Sequence, residues 1–558
     1  MRLFDIVKAV MRLKYSMGNG IWKGMDDMRN RRKHIGYAVM PVLVGLTICA
    51  CGGEAPGEGT EEREEPVTLE WYINYSWYNT GFGENLVSKE ITERTGVDIR
   101  FVTPYGDETE LLNSLISSDT LPDLITLGWW EPQADEMIEK DMVYALNELA
   151  DEYEPYFWEV TDETIADWYT KEDGNIYCYP NSAYTPEDYR EHDNIGSNQT
   201  FLVRKDIYEA IGSPDMTTPE GFAAAVRAAA EQFPEVDGYP LIPVGSHVFT
   251  DTGCDSFDQH LQNFLAVPYE KDGAYYDRYT DPEYIRWLKM FRGLGSEGYL
   301  KNDIFIDQRT QMEEKIARGQ YFCMLYQRTD IADLERELYA EHPERIYIAV
   351  DGPKNSAGDD PVLMGAGING WTVTFISKNC KDPQKAIGLV TYLISEEGQK
   401  LTYLGVEGET YDEKDGKIVI KDEVRELLER DRAEYDRFYG ADNAYWMFQD
   451  NVLQLQWKWD SDEKNPVVEM EKWTVPYTRY IGQYEISFDA NTKEGNADKK
   501  IKEAWGETLP KLLLAFSEEE FDAVLAAYVK KREELGFSLV MEASTRQVNE
   551  AKERLGLE

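Results

Sequence analysis

From position 67 onward, apolar and polar residues follow one another in blocks whose spacing switches between the strand and helix periods. Residues 67–75 (VTLEWYINY) predict a strand, 84–95 a helix, 97–102 a strand, 108–118 a helix and 123–127 a strand. Gly96 stands where the first helix needs a C-terminal cap, and Leu121-Pro122 breaks the chain after the second. Short helices alternating with strands imply right-handed crossovers and a parallel sheet covered on both faces, an α/β architecture. On such a sheet, ligands meet the loops at the carboxyl ends of the strands.

Those loops are aromatic. The first strand delivers Ser76-Trp77-Tyr78-Asn79 and the third delivers Gly128-Trp129-Trp130-Glu131, so two loops at equivalent positions carry flat apolar faces beside hydrogen-bonding groups. Further on, residues 173–181 read as a turn followed by a strand, 201–203 as a strand and 205–211 as a helix closed by Gly212. Thr218 and Pro219 open another helix as N-cap and first residue, with Phe222, Val226, Ala229, Ala230 and Phe233 on one face. Residues 282–319 are helical in pattern and 371–376 (WTVTFI) form a strand. Residues 501–516 and 519–535 are amphipathic helices, the first expected to kink or split at Pro510, and a last helical segment falls near 545–555. There is no internal repeat.

The 558 residues are 42% hydrophobic and 13% aromatic, enough for a large core and too apolar for a disordered acidic chain. Residues 51–558 carry 49 basic and 102 acidic side chains, a net charge of −53. Such a surface repels phosphate backbones, so nucleic acid is excluded as a partner. Cys178, Cys254, Cys323 and Cys380 are widely spaced, with no Cys/His cluster among them. Structural zinc is not expected, and the four side chains are either buried thiols or one or two disulfides.

The start of the chain has a different character. A basic cluster, Arg29 to His34, precedes 14 uncharged residues at 35–48 (IGYAVMPVLVGLTI). As a helix these reach about 21 Å, short of the roughly 30 Å of a bilayer's hydrocarbon, so they read as a signal-peptide core. The run ends in Ala50-Cys51-Gly52-Gly53, which resembles a bacterial lipobox with Cys51 as the lipid-modified N-terminus, although Ile48 and Cys49 differ from the usual pattern. Met28 is the expected start, with 1–27 an over-extended reading or a dispensable extension, so that extension and signal peptide together cover 1–50. Residues 51–66 form a Gly/Pro/Glu tether reaching about 20 Å. Two or more acyl chains at Cys51 would hold the protein on the outer face of the cell membrane.

Catalytic signatures are missing. Gly81-Phe82-Gly83 follows a strand, but Leu86 replaces the third glycine of a dinucleotide fingerprint. There is no P-loop, GxSxG or HExxH, and after the leader only His192, His247, His260 and His342 remain, so acid/base or metal catalysis by histidine is poorly supplied. No metal or cofactor is expected. A glycoside hydrolase using paired carboxylates is the rival enzymatic reading, and a peptide-binding surface lipoprotein the rival binding one.

Several segments, in order, are similar to family 1 extracellular solute-binding proteins of sugar ABC importers, the lipoprotein relatives of maltodextrin-binding protein. They are 91–99 (ITERTGVDI), 121–125 (LPDLI), 173–180 (DGNIYCYP), 202–212 (LVRKDIYEAIG), 314–320 (EKIARGQ), 369–371 (NGW) and 405–411 (GVEGETY). The resemblance implies a two-lobed periplasmic-binding-protein-like (type II) fold with a hinge and a cleft. Lobe 1 would hold 67–182 and 371–440, lobe 2 would hold 183–370 and 441–558, and Asn181 and Gly370 would lie near the hinge. It also implies ligand contacts from Trp77, Trp129, Trp130, Glu131, Asn181 and Trp371, and from Tyr326, Gln327 and Arg328 of lobe 2, with contributions from Trp446, Trp457 or Trp459 left open and Glu407 read as structural. The expected partners are an oligosaccharide and the permease subunits of an ABC importer, with the protein acting as a monomer. Ligand held by one lobe would draw the other closed.

Overall fold

The computed structural model describes residues 65–105, 108–457 and 466–557, all within one unit, Glu64–Glu558. The leader, Cys51, nearly all of the tether and Trp459 lie outside the described residues.

Two sheets are built from nine strands: β1 (Val67–Ile73), β2 (Val97–Val102), β3 (Leu124–Gly128), β4 (Cys178–Pro180), β5 (Gln199–Arg204), β6 (Ile242–Gly245), β7 (Tyr321–Gln327), β8 (Tyr347–Ala349) and β9 (Thr372–Ile376). In the first, ordered β2-β1-β3-β9-β4, β1 is parallel to β2 and β3 as the alternation of strands and helices predicts. β9 departs from that expectation and runs antiparallel to both β3 and β4. It arrives from the second lobe, so no crossover helix dictates its direction. The second sheet, ordered β8-β5-β7-β6, is mixed.

Alternation along the strands divides the first lobe's core. Leu69, Trp71, Ile73 and Leu124 join one apolar cluster, while Tyr72, Ile125, Leu127, Val373 and Phe375 join another on the opposite face. Helix Leu86–Thr95 covers the first face through Val87 and Ile91, and Glu108–Ser118 covers the second through Leu112 and Ile116. The expected caps are in place: Gly96 ends its helix with φ 69°, and Thr218 accepts from the Gly221 amide. The second lobe has its own core, containing Phe201, Val203, Trp287, Tyr321, Tyr326 and Trp505.

Several stretches differ from the sequence reading. Residues 282–319 are not one helical run: helix Pro282–Ser296 stops before Gly298, whose φ is +84°, and after the 3-10 turn Asn302–Phe305 a second helix, Arg309–Ala317, begins. The last helix starts at Phe537, ahead of 545. Helix Lys493–Leu513 runs unbroken through Pro510, because Trp505, Leu509, Leu512 and Leu513 bury one continuous face that outweighs a single missing hydrogen bond. The segment after 440, expected in lobe 2, stays with lobe 1 at first: Ala441, Tyr445, Trp446, Met447, Phe448 and Trp457 all sit in the first lobe's cluster. The chain joins the second core with Met470 and the C-terminal helices. Cys178, Cys254, Cys323 and Cys380 are free thiols, all buried.

The crossing between lobes is fastened at Asn181, which is 1% exposed. Its amide donates to Thr372 O (2.9 Å), its carbonyl accepts from Trp371 N (3.1 Å), its Oδ1 accepts from Thr372 N (2.8 Å) and its Nδ2 donates to Trp446 O (3.0 Å). Three chain segments thus meet on one side chain. Gly370 makes the approach possible: its φ is +65°, and a Cβ there would lie 1.9 Å from Asn181 O.

Candidate functional site

The antiparallel register of β9 decides what gathers at the sheet edge. Thr372 pairs with Gly128, so the residue leading into β9, Trp371, lies at the carboxyl end of β3 and near that of β1. There Trp371 is parallel to Trp77, with ring centroids 6.1 Å apart and 6° between planes. Trp446, from the 3-10 turn Trp446–Phe448, packs 4.5 Å from Trp371 and 5.8 Å from Trp77. Tyr75 closes the group at 5.2 Å from Trp371 and 5.5 Å from Trp77. Trp77 is 42% exposed, so an aromatic platform backed by buried rings faces solvent.

The second lobe reaches this platform. Arg309, at the start of helix Arg309–Ala317, holds its guanidinium carbon 5.9 Å over the Trp77 ring. Glu313 pairs with Arg309 Nε at 2.7 Å, and Asp330 stands 3.7 Å from its Nη2. Burial raises the Asp330 carboxyl above its usual range, against the pull of Arg309. Behind them, the rings of Tyr326 and His247 stack at 4.2 Å. Burial pushes His247 well below the usual histidine range, assisted by His260 and Arg309, so its imidazole is neutral.

Four polar atoms of these aromatic residues are buried and unpaired. Tyr75 Oη, Trp446 Nε1, Tyr326 Oη and His247 Nε2 are buried without a hydrogen-bond partner among the described residues. Each such atom costs about 1–3 kcal/mol unless something bonds it, which is the arrangement expected where a ligand's hydroxyls complete the set.

The other sequence-predicted residues have distinct places. Trp129 packs on the lobe's second cluster, edge to face with Trp130 at 6.0 Å. Trp130, half exposed, folds back over Gly128, where a Cβ would meet its ring at 2.8 Å. Glu131 accepts from Gly128 N (2.8 Å) and from Asn74 Nδ2 (2.6 Å), and burial pushes its carboxyl up to about 7. Asn181 spends its side chain on the lobe crossing. Tyr326 is fully buried, its unpaired hydroxyl included, Gln327 is half-buried at the end of β7, and Arg328 donates to Ser197 O (2.9 Å) while standing 3.8 Å from Glu471.

Sequence reasoning missed Tyr75, Arg309 and His247. Tyr75 belongs to the apolar alternation of its strand, Arg309 looks like any exposed helix charge, and His247 sits in a loop without periodicity. Among the described residues, no group of three or more His, Cys, Asp or Glu is placed to hold a metal ion, and no helix is long and apolar enough to cross a membrane. Two open recesses, of about 320 and 220 Å³, lie by Lys552 and Arg554 of the C-terminal helix, and neither is lined by the aromatic group.

Two separately cored α/β lobes, crossed by the chain more than once and meeting at an aromatic platform, define a periplasmic-binding-protein-like fold. Known structures share it. The Streptococcus pneumoniae ABC-transporter substrate-binding protein FusA, in complex with kestose, superposes with a TM-score of 0.67 at 15% identity, over 87% of this chain and 99% of that one. The alginate-binding protein AlgQ2 gives 0.64 at 18% identity over 87% and 98%. A human-milk-oligosaccharide (HMO) binding, ABC-transporter-associated solute-binding protein from Bifidobacterium longum infantis gives 0.63 at 14% over 87% and 99%. At these identities the likeness is one of fold. No family model matches the chain, and no curated protein matches it in sequence.

Proposed function

We propose that this protein captures a sugar or oligosaccharide between its lobes and presents it to the permease of an ABC importer, without cleaving it. The observation that carries the reading is the platform of Tyr75, Trp77, Trp371 and Trp446, faced by Arg309 and Asp330 and flanked by four unpaired buried polar atoms. A pyranose or furanose has apolar C–H faces and a polar rim, so it matches stacked rings edged by donors and acceptors. Shared fold with proteins named for binding kestose, alginate and milk oligosaccharides supports the same class of ligand.

In this reading Trp77 and Trp371 stack on the sugar, with Trp129, Trp130, Glu131, Gln327 and Arg328 bordering the same cleft. Lobe 1 comprises 67–182 and 371–457, and lobe 2 comprises 183–370 and 466–558. Contacts to both lobes give the closed form its differential affinity, so ligand shifts the hinge equilibrium. The chain belongs with the family 1 lipoproteins related to maltodextrin-binding protein, is anchored outside the cell membrane by lipid on Cys51 and works as a monomer.

A glycan array followed by titration calorimetry tests the proposal. The expected result is micromolar or tighter binding of at least one oligosaccharide, about −8 kcal/mol or better, with the sugar recovered intact after long incubation. Shorter sugars released during incubation, or binding confined to peptides, would overturn it.

A further inference from the structure

Lobe 2 lays a side chain over the most exposed ring of the platform. The rings packed against Trp77, those of Tyr75, Tyr78, Trp371 and Trp446, all belong to lobe 1. From lobe 2 comes the Arg309 guanidinium, 5.9 Å from the Trp77 centroid. A sugar ring stacked on an indole lies about 3.5–4.0 Å from it and needs a similar gap on its far side, so a sandwich between the two groups takes about 7–8 Å. At 5.9 Å no sugar fits between them. The guanidinium stands in the space over Trp77 that a stacked sugar needs.

Arg309 is also tied to its own lobe. Glu313 Oε1 accepts from Arg309 Nε (2.7 Å) and Asp330 stands 3.7 Å from Nη2, both acids belonging to lobe 2. Asp330 lies in the 3-10 turn Thr329–Ile331, directly ahead of helix Ala332–Glu341. That helix packs on helix Asp422–Arg430, whose Val424 and Leu428 sit in the first lobe's cluster. One segment of lobe 2, residues 309–341, thus makes two contacts with lobe 1. Baring Trp77 means either breaking both acid ties or drawing this segment back from lobe 1.

We propose that Arg309 is a placeholder for the ligand: it covers Trp77 between captures and is displaced by the stacking sugar, so it lowers the affinity of the site and links sugar entry to opening of the cleft. Moving with its lobe keeps both ties intact, so the arginine leaves as the lobes part. A cation–π contact at a partly exposed ring is worth a factor of about two to five, which a stacking ligand forfeits. The inference rests on the carbohydrate-binding reading above and gives Arg309 a role opposite to that of a direct ligand contact.

Two measurements on the full chain test it. In the absence of sugar, fluorine NMR of the 5-fluorotryptophan-labelled chain follows the Trp77 line, identified by its loss in Trp77→Phe. Arg309→Gln is expected to move that line, and a line left in place overturns the inference whatever the sugars do. Calorimetry then uses the tightest-binding glycan of an array of neutral and acidic oligosaccharides. Arg309→Gln is expected to bind it about two- to fivefold tighter than the native chain, and the gain is expected to vanish when Trp77→Ala is present in both. Equal or weaker binding by Arg309→Gln, or the same gain without the Trp77 ring, overturns the inference and leaves carbohydrate binding standing. Absence of heat with every glycan, for native chain and variant alike, overturns both. The melting temperature checks that Arg309→Gln folds, and Arg309→Ala takes its place if it does not.

Discussion

Trp77 and Trp371 lie parallel, 6.1 Å between centroids, although one follows the first strand of the sheet and the other leads into the last strand to join it. The register of β9 against β3 enforces this, because Thr372 opposite Gly128 leaves Trp371 only one edge of the sheet to occupy. The pair is thus a property of the rigid sheet, and a ligand stacking on it pays little to order it.

Removing either ring should reach binding more than folding. Trp77→Ala and Trp371→Ala are each expected to weaken affinity for the first glycan identified by about ten- to a hundredfold, a stacking contribution of order 1–3 kcal/mol. Trp77 is 42% exposed, so its loss should leave the melting temperature close to that of the native chain. Titration curves unchanged in both variants would remove the platform from the site.

Asn181 should behave in the opposite way. Asn181→Ala takes the Oδ1 acceptor from Thr372 N and one of two donors from Trp446 O, which keeps Gln449 N at 2.9 Å, with an expected cost of about 1–3 kcal/mol in denaturant unfolding. A cost below about 0.5 kcal/mol would mean that these groups find solvent or new partners.

Stability should fall as pH rises through neutrality. Burial pushes Glu131 and Asp258 up to about 7 and Glu335 and Glu485 up to about 8. The unfolded chain has released these protons by about pH 6.5, while the folded chain still holds them and must charge buried groups as the pH climbs. The buried His247 and His260, pushed down by burial, act with the other sign, but only below about 6.5, where unfolded histidine becomes charged. The melting temperature is expected to drop between pH 6.5 and 8.5, and Glu485→Gln should flatten part of that slope. A rise over the same range would contradict the burial of these carboxyls.

Arg554 ties the end of the C-terminal helix to the first lobe. Arg554 donates to the carbonyls of Asp167 (3.0 Å) and Trp168 (2.7 Å) and lies 4.3 Å over the Trp168 ring, while Trp168 Nε1 donates to Asn369 Oδ1 (2.7 Å) beside the crossing. Arg554→Ala is expected to lower stability by about 1–2 kcal/mol. The same variant should speed proteolytic release of the C-terminal helix, read by mass spectrometry, whereas an unchanged digestion pattern would show that the helix is held elsewhere.

Most of the first sheet was legible in the sequence, since its strands and helices have their own periods and stops: Gly96 caps one helix and Pro122 follows another. In the second lobe the Thr218-Pro219 pair likewise marks where a helix opens. The direction of β9 and the course of 441–457 were not legible. Trp446 lies in a segment with neither period, and it is covered by rings distant in sequence, Tyr75, Tyr78 and Trp371, while its carbonyl accepts from Asn181 Nδ2 across the crossing. Likewise the sequence places Trp129 and Trp130 in one loop, but only the structure shows that Trp129 packs in part on the lobe's second cluster and that Trp130, half exposed, lies over Gly128.

By itself, the sequence determined which stretches become strands and helices, that they alternate as α/β, and that tryptophans stand at the strand ends, because periodicity, caps and turn residues act over a few positions. Only the tertiary structure decided that Tyr75, Trp77, Trp371 and Trp446 form one surface, that Arg309 crosses to cover it, and that Asn181 is spent on the crossing. Those outcomes depend on register and on the closure of long connections, where energies of packing and hydrogen bonding between distant segments outweigh any local preference.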